Sequence, residues 1–467
     1  MNRVTNTTND AAAPSSSGDG AQGWSPDSWK TKLAAQQVRY PDRDAVERAV
    51  RKLEGFPPLV TSGEIEHLRE LVASAQRGER FWLQGGDCAE SLDDCRAEPI
   101  ANKLKILLQM SRVLVHGMKN PVIRVGRFAG QYAKPRSKPT ETRDGVELPS
   151  YFGDLVNRPE FTEEARNPDP HMMVRGYQHA AVTLNFIRSL IDGGFADLHH
   201  PEHWDLGFLD HAALRPESRE QYRKMATELA DALTFMEALG DTTVDEMGRV
   251  DFFTSHEALN LLYENAQTRS VPRRDGYYNL TTHFPWIGER TRALDGAHVE
   301  YTRGIRNPVG VKIGPNTTPE ELNATIDALN PGNESGKLVL ITRLGAKHAE
   351  AAAPTLIEAV ARTDKKVLWI SDPMHGNTRS TQDGTKTRSF EDILAEREAF
   401  IDAHKKAGTH LGGVHFELTG EDVTECTGGA TGLDDAGLSA NYQSPCDPRL
   451  NYAQALEMAF VLADKLK

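Results

Sequence analysis

Cysteine is scarce in this chain: four in 467 residues, Cys88, Cys95, Cys426 and Cys446. That is too few for a disulfide framework at this length, and no CxxC pair occurs, which removes zinc ribbons and thioredoxin-type motifs. No apolar run approaches the roughly 18 residues that span a bilayer. Basic charge is in deficit, 54 Lys+Arg against 67 Asp+Glu, a formal net charge of −13, so the chain does not read as a nucleic-acid coat. There is no GxxxxGK[ST] and no GxGxxG between a strand and a helix. The opening MNRVTNTTNDAAAPSSSGDGAQG has no apolar core of a secretory signal. Its Ser, Thr, Asn, Gly and Pro content predicts a disordered tail over 1–23. What is left is a soluble protein expected in the cytoplasm, with no membrane and no nucleic acid among its partners.

Hydrophobic residues make up 39 % and glycines number 38, which is enough for one large core. Short apolar runs recur: FWLQGGD from Phe81, Val122–Val125, Asp251–Thr254, a fourth around Tyr278–Thr281, Val309–Ile313, Lys337–Ile341, Lys366–Ser371 and Gly413–Glu417. Helical stretches such as Pro319–Leu329, His348–Arg362 and Phe390–Lys406 separate most of them. Continuous apolar strands alternating with helices are what a parallel sheet buried on both faces requires. Eight such units, with polar residues clustered directly after the strands, predict an α/β protein with a (β/α)8 TIM barrel, whose strand ends converge on one face. An open doubly wound sheet would gather them at a switch point instead.

Two stretches exceed a minimal barrel. Residues 24–79 precede the first strand and predict an N-terminal helical extension, with helices over Pro26–Arg51 and Ser62–Arg77. The barrel then occupies 80–467. Between the second and third strands, a helical insertion of about 138–248 is expected, with long helical patterns at His171–Ile191 and Glu217–Leu239.

Basic residues stand at the strand ends against the acidic average: Arg127, Lys134, Arg136, Arg290, Lys312 and Arg343. Any one of them is most simply a solvated surface charge. As a set they point to a small, multiply anionic substrate, because VKIGP and ITRLG place Lys312 and Arg343 on otherwise apolar strands, where a charge must be paired or meet a ligand. Cys88, His375, Glu417 and Asp447, with His415 beside them, offer a thiolate, an imidazole and two carboxylates, a mixed donor set for a divalent first-row metal. Their wide separation in sequence leaves ordinary core residues as the alternative.

Taken together, LQGGDCAE (Leu83–Glu90), AGQYAKPRS (Ala129–Ser137), WIGERT (Trp286–Thr291), VKIGP (Val311–Pro315), DPMHGNT (Asp372–Thr378), TGE and VTEC within Thr419–Cys426, and CDPRLN (Cys446–Asn451) resemble the type II 3-deoxy-D-arabino-heptulosonate 7-phosphate (DAHP) synthases. The motifs run in family order from about Trp24 to the C-terminus. The resemblance implies a metal-dependent barrel enzyme, also called a phospho-2-dehydro-3-deoxyheptonate aldolase. It would condense phosphoenolpyruvate with erythrose 4-phosphate and water at the first step of the shikimate pathway. Carried over, the metal ligands would be Cys88, His375, Glu417 and Asp447, with Mn²⁺ expected and Co²⁺, Zn²⁺ or Fe²⁺ as alternatives. Phosphoenolpyruvate would meet Arg127, Glu289, Arg290, Lys312 and Arg343, and the phosphate of erythrose 4-phosphate would meet Lys134, Arg136 and Ser137. Glu289 and Lys312 are the candidates for placing water and moving protons. The family also implies a homodimer or homotetramer, chorismate mutase as a further partner, and feedback by aromatic amino acids through the insertion and the N-terminal helices.

Cys446 adjoins the expected ligand Asp447, which predicts that its thiol approaches Cys88 and that oxidation can join the two and expel the metal. Two other readings compete: another metal-dependent barrel acting on phosphorylated sugars, which would release no phosphate from phosphoenolpyruvate, and a regulatory barrel without catalysis, which would have lost one of the two residue sets.

Overall fold

The computed structural model describes residues 23–195, 220, 223–224, 227, 250–429 and 431–467. Most of the expected tail, and all but four positions of the Glu217–Leu239 pattern, lie outside the described residues. Eight strands, β1 (Phe81–Gly86), β2 (Val122–Arg127), β3 (Phe252–Glu257), β4 (Phe284–Ile287), β5 (Val309–Ile313), β6 (Leu338–Thr342), β7 (Leu368–Ser371) and β8 (Gly413–Glu417), pair in parallel around a closed barrel. β1 meets β8 to close the ring. The strands are apolar because both faces are covered: their inward side chains, including Trp82, Val125, Phe284, Ile341 and Ile370, form one interior cluster. Their outward ones pack under the helices.

Among the described residues, nine longer helices accompany the strands: α1 (Arg43–Glu54), α2 (Ser62–Gln76), α3 (Ala97–Met118), α4 (His171–Asp192), α5 (Ala297–Arg303), α6 (Pro319–Leu329), α7 (Ala346–Ala361), α8 (Phe390–Ala407) and α9 (Tyr452–Lys465). The first expected helix, Pro26–Arg51, is cut short. The chain makes only a single 3-10 turn at Ser28–Thr31, and α1 starts after Pro41, with Asp42 accepting from the Ala45 amide as N-cap. A proline forces that start, since it disfavours helical geometry in the residue before it. α2 opens with a capping box, Thr61 and Glu64 satisfying each other's amides. Its Leu68, Leu71, Val72 and Ala75 join the interior cluster of the strands, so α2 is part of the barrel core.

The fourth strand corrects the sequence expectation. Tyr277–Asn279 pairs antiparallel with Thr268–Ser270 in a small ribbon, and the barrel strand is Phe284–Ile287 instead. Pro285 sits inside that run, and a proline without an N–H argues against a strand at the level of sequence. β3 runs past the expected Asp251–Thr254, so Ser255, His256 and Glu257 lie within it. The insertion begins with a ribbon, Thr140–Arg143 against Val146–Pro149, before α4.

Register sets the level of the site. Gly86 is aligned with Arg127 on one side and with Glu417 on the other, which puts three strand ends at one height. Gly86 has φ +146°, and a Cβ there would lie 2.6 Å from the Phe128 ring. Only glycine lets the chain turn here and deliver Asp87 and Cys88 over the barrel mouth.

Candidate active site

Arg127, at the end of β2, is 2 % exposed and organises the mouth. Its guanidinium donates to the Asp87 carbonyl (2.9 Å) and the Cys88 carbonyl (3.0 Å), pairs with Glu417 Oε1 (3.1 Å) and lies 2.6 Å from His415 Nε2. The fork geometry of arginine allows these contacts at once. Arg388 pairs with the other Glu417 oxygen at 2.7 Å, and His375 Nε2 lies 2.9 Å from Oε1. Burial alone would raise the Glu417 carboxyl, but His375, Arg388 and Arg127 outweigh it and hold it well below the usual carboxylate range.

Cys88 Sγ and carboxylate oxygens of Glu417 and Asp447 lie within 4.8 Å of one another, as do donor atoms of Asp372, His375 and His415. The 2.9 Å His375–Glu417 contact joins the two groups, so the expected set Cys88, His375, Glu417 and Asp447 is brought together. Asp447 comes from a loop far along the chain. Arg449 anchors that loop by pairing with Asp87 (2.8 Å) and Glu425 (2.7 Å).

The donor set suits a divalent cation, and the structure already gathers positive charge there. The Lys134 ammonium lies 2.6 Å from Cys88 Sγ and 2.6 Å from Asp447 Oδ2. Burial would lower the Lys134 ammonium, but Asp447 and Cys88 hold it well above its ordinary value. Sulfur, imidazole and carboxylate together match the softer first-row ions better than Mg²⁺ or Ca²⁺.

Beside this cluster, Lys312 on β5 is ion-paired with Asp372, which also holds His375 Nδ1 at 2.8 Å. Burial pushes the Lys312 ammonium down, partly opposed by Asp372. Burial would raise Asp372, yet His375 and Lys312 keep it well below its usual value. His415 lies 3.2 Å from Lys312 Nζ, and burial with that neighbouring charge holds its imidazole neutral. Trp286 packs edge-on to His415 and lies 5.3 Å from the Arg127 guanidinium and 6.0 Å from Lys312 Nζ, a cation–π setting for both.

The remaining expected residues are less tightly gathered. Arg343 donates to the His375 carbonyl (2.8 Å). Glu289 accepts from Arg292 (3.2 Å), and Arg290 is exposed beside it. Lys134 joins the Cys88 cluster, whereas Arg136 pairs with Glu141 (3.0 Å) and Ser137 is exposed.

Sequence reasoning missed Arg388, Arg449 and Glu396. Glu396, on α8, accepts from the Leu344 amide (2.6 Å) and the Asn377 side chain (2.7 Å), tying the loops that carry Arg343 and His375. None of the three ends a barrel strand, although Arg449 stands within the CDPRLN run.

A family model described as the class-II DAHP synthetase family matches residues 24–463. The chain is 49 % identical over 436 residues to a phospho-2-dehydro-3-deoxyheptonate aldolase of Streptomyces coelicolor, covering 93 % of this chain and 96 % of that protein. It is 46 % identical to a protein of the same name from Neurospora crassa (95 % and 94 % covered) and 42 % identical to the aldolase AroG of Mycolicibacterium smegmatis (94 % of each). With matches of this extent along nearly the whole chain, the protein belongs to the class-II DAHP synthetase family.

Proposed function

We propose that this chain condenses phosphoenolpyruvate with erythrose 4-phosphate and water, giving DAHP and inorganic phosphate, the first step of the shikimate pathway. The observation that carries the reading is the contiguity of two clusters. Arg127 touches Glu417 of the donor set and, through His415, adjoins Lys312 of the basic set. A divalent ion bound by Cys88, His375, Glu417 and Asp447, Mn²⁺ in the first instance and Co²⁺, Fe²⁺ or Zn²⁺ otherwise, would supply Lewis acidity to the aldehyde oxygen.

The side chains account for the rest of the chemistry. Arg127, Arg290, Lys312 and Arg343 hold the carboxylate and phosphate of phosphoenolpyruvate, and Lys134, Arg136 and Ser137 hold the phosphate of the tetrose. Two anions are thereby kept side by side against their repulsion, which supplies the orientation term. Attack by C3 of phosphoenolpyruvate on the aldehyde leaves positive character at C2, which water captures. The phosphohemiketal then expels phosphate by C–O cleavage. Glu289 orients the water, and Lys312, whose ammonium is depressed by burial, gives and takes the proton. Incubation with both substrates and Mn²⁺ should consume phosphoenolpyruvate and release phosphate one for one. Consumption without phosphate release, or none at all, would overturn the reaction.

The proposal extends to assembly as a homodimer or homotetramer in the cytoplasm, with chorismate mutase as a further partner. Leu33 and Leu294, 83 % and 45 % exposed, supply apolar surface for such contacts. Among the described residues, no helix is long and apolar enough to cross a membrane.

Redox sensitivity is part of the same reading. Cys88 and Cys446 share one buried cluster with Ala89 and Tyr151. Peroxide should join them, two thiols giving up two hydrogens as the peroxide becomes water, and activity should fall until dithiothreitol restores it. Cys446→Ser should stay active under the same treatment. Peptide mapping that finds both thiols free after inactivation of the wild type would rule the bridge out.

A further inference from the structure

Glu257 ends β3 and is aligned with Trp286 across the ladder. Neither the basic set nor the donor set accounts for it. Its Oε1 is buried and has no hydrogen-bond partner, a state that native proteins rarely tolerate without a reason. Its carboxyl lies against Gly288, where a Cβ would come 2.0 Å from Oε1. Gly288 directly precedes Glu289 and Arg290. On the other side, the Glu257 amide donates to Gln131 Oε1 (2.9 Å), in the segment that leads to Lys134 and Arg136. Burial pushes the Glu257 carboxyl up, opposed by the charges of Lys134, Lys312, His375 and Arg127 around it. None of those cations pairs with it directly among the described contacts.

Glu257 thus stands between two segments: its amide meets the one assigned to the tetrose phosphate, and its carboxyl meets the one assigned to phosphoenolpyruvate. A four-carbon aldose phosphate spanning that interval places its C4 phosphate at one end and its C1 aldehyde at the other. The hydroxyls on C2 and C3 fall in between, each with an O–H to donate. We infer that Glu257 receives one or both of these hydroxyls, and so makes the site specific for a 2,3-dihydroxy aldehyde phosphate. The inference rests on the reaction proposed above and adds a specificity residue to it. A polar site built around a substrate hydroxyl rejects the analogue that lacks it, because the protein group is then left unpaired.

The test compares erythrose 4-phosphate with its 2-deoxy and 3-deoxy analogues, by kcat/KM, in wild type, Glu257→Ala and Glu257→Gln. The wild type should disfavour at least one analogue by about 100-fold, the scale of a hydrogen bond to a charged acceptor. In Glu257→Ala the same analogue should react within about 3-fold of the parent sugar, with the KM for phosphoenolpyruvate unchanged. Glu257→Gln keeps the volume and one acceptor, and should discriminate by less than about 10-fold even if the alanine variant folds poorly. A wild type that accepts both analogues as well as the parent sugar, or full discrimination persisting in the variants, would overturn the role of Glu257 alone. A wild type inert toward phosphoenolpyruvate and erythrose 4-phosphate together would overturn the reaction, and the inference with it.

Discussion

Removal of bound metal by a chelator should take phosphoenolpyruvate consumption to background, a fall of about 1,000-fold or more, and added Mn²⁺ or Co²⁺ should restore it. The expected size follows from the chemistry. Phosphoenolpyruvate is a weak carbon nucleophile, so the aldehyde needs strong polarisation beyond what the donor cluster alone supplies. Its cations are already paired: Lys134 with Asp447, and Arg127 and Arg388 with Glu417. Glu417→Gln should weaken metal binding and also leave two arginines buried without their anion, so the loss of activity should come with a lower unfolding temperature. Metal titration followed by thermal unfolding reads the site independently of turnover, because an ion that binds only the folded chain raises its stability. Full activity in protein shown to be metal-free would remove the donor set from the mechanism.

Lys312→Met should lower kcat by about 1,000-fold while the barrel stays folded, the middle of the range for loss of a proton-transferring group. Lys312 is 4 % exposed, and its removal would ordinarily strand a buried carboxylate. Asp372 keeps His375 at 2.8 Å and accepts from the Met374 amide at 3.1 Å, so the penalty should stay below the roughly 3–5 kcal/mol of a fully broken buried pair. Methionine preserves the stem that packs near Trp286. Arg343→Met, on the neighbouring strand end, should act chiefly on the KM for phosphoenolpyruvate, since its role is to hold an anion. Steady-state kinetics together with circular dichroism separate the two effects. Wild-type kinetics in both variants would sink the assignment of the basic set.

The barrel was legible because its signal is local. Eight apolar runs with helices between them report burial on both faces, and a two-sided parallel sheet of that length closes on itself. The expected strand between Val309 and Ile313 agrees with β5 residue for residue. Two of the differences lie at prolines. Pro285 stands inside β4, and Pro41, read through as helix, sets the start of α1 by its local effect, while β3 runs past its expected end without one.

The chain by itself determined the fold class and the family, since these depend on residue type, order and spacing. Which partners the charges take was decided only by closure of the barrel. Cys88 and Asp447 meet across 359 positions of sequence. Lys134 pairs with them while Arg136 pairs with Glu141, and Glu257 keeps an unpaired oxygen beside Gly288. A strand end announces itself through the apolar residues before it, whereas a hydrogen-bond partner depends on where seven other strands place their ends in space.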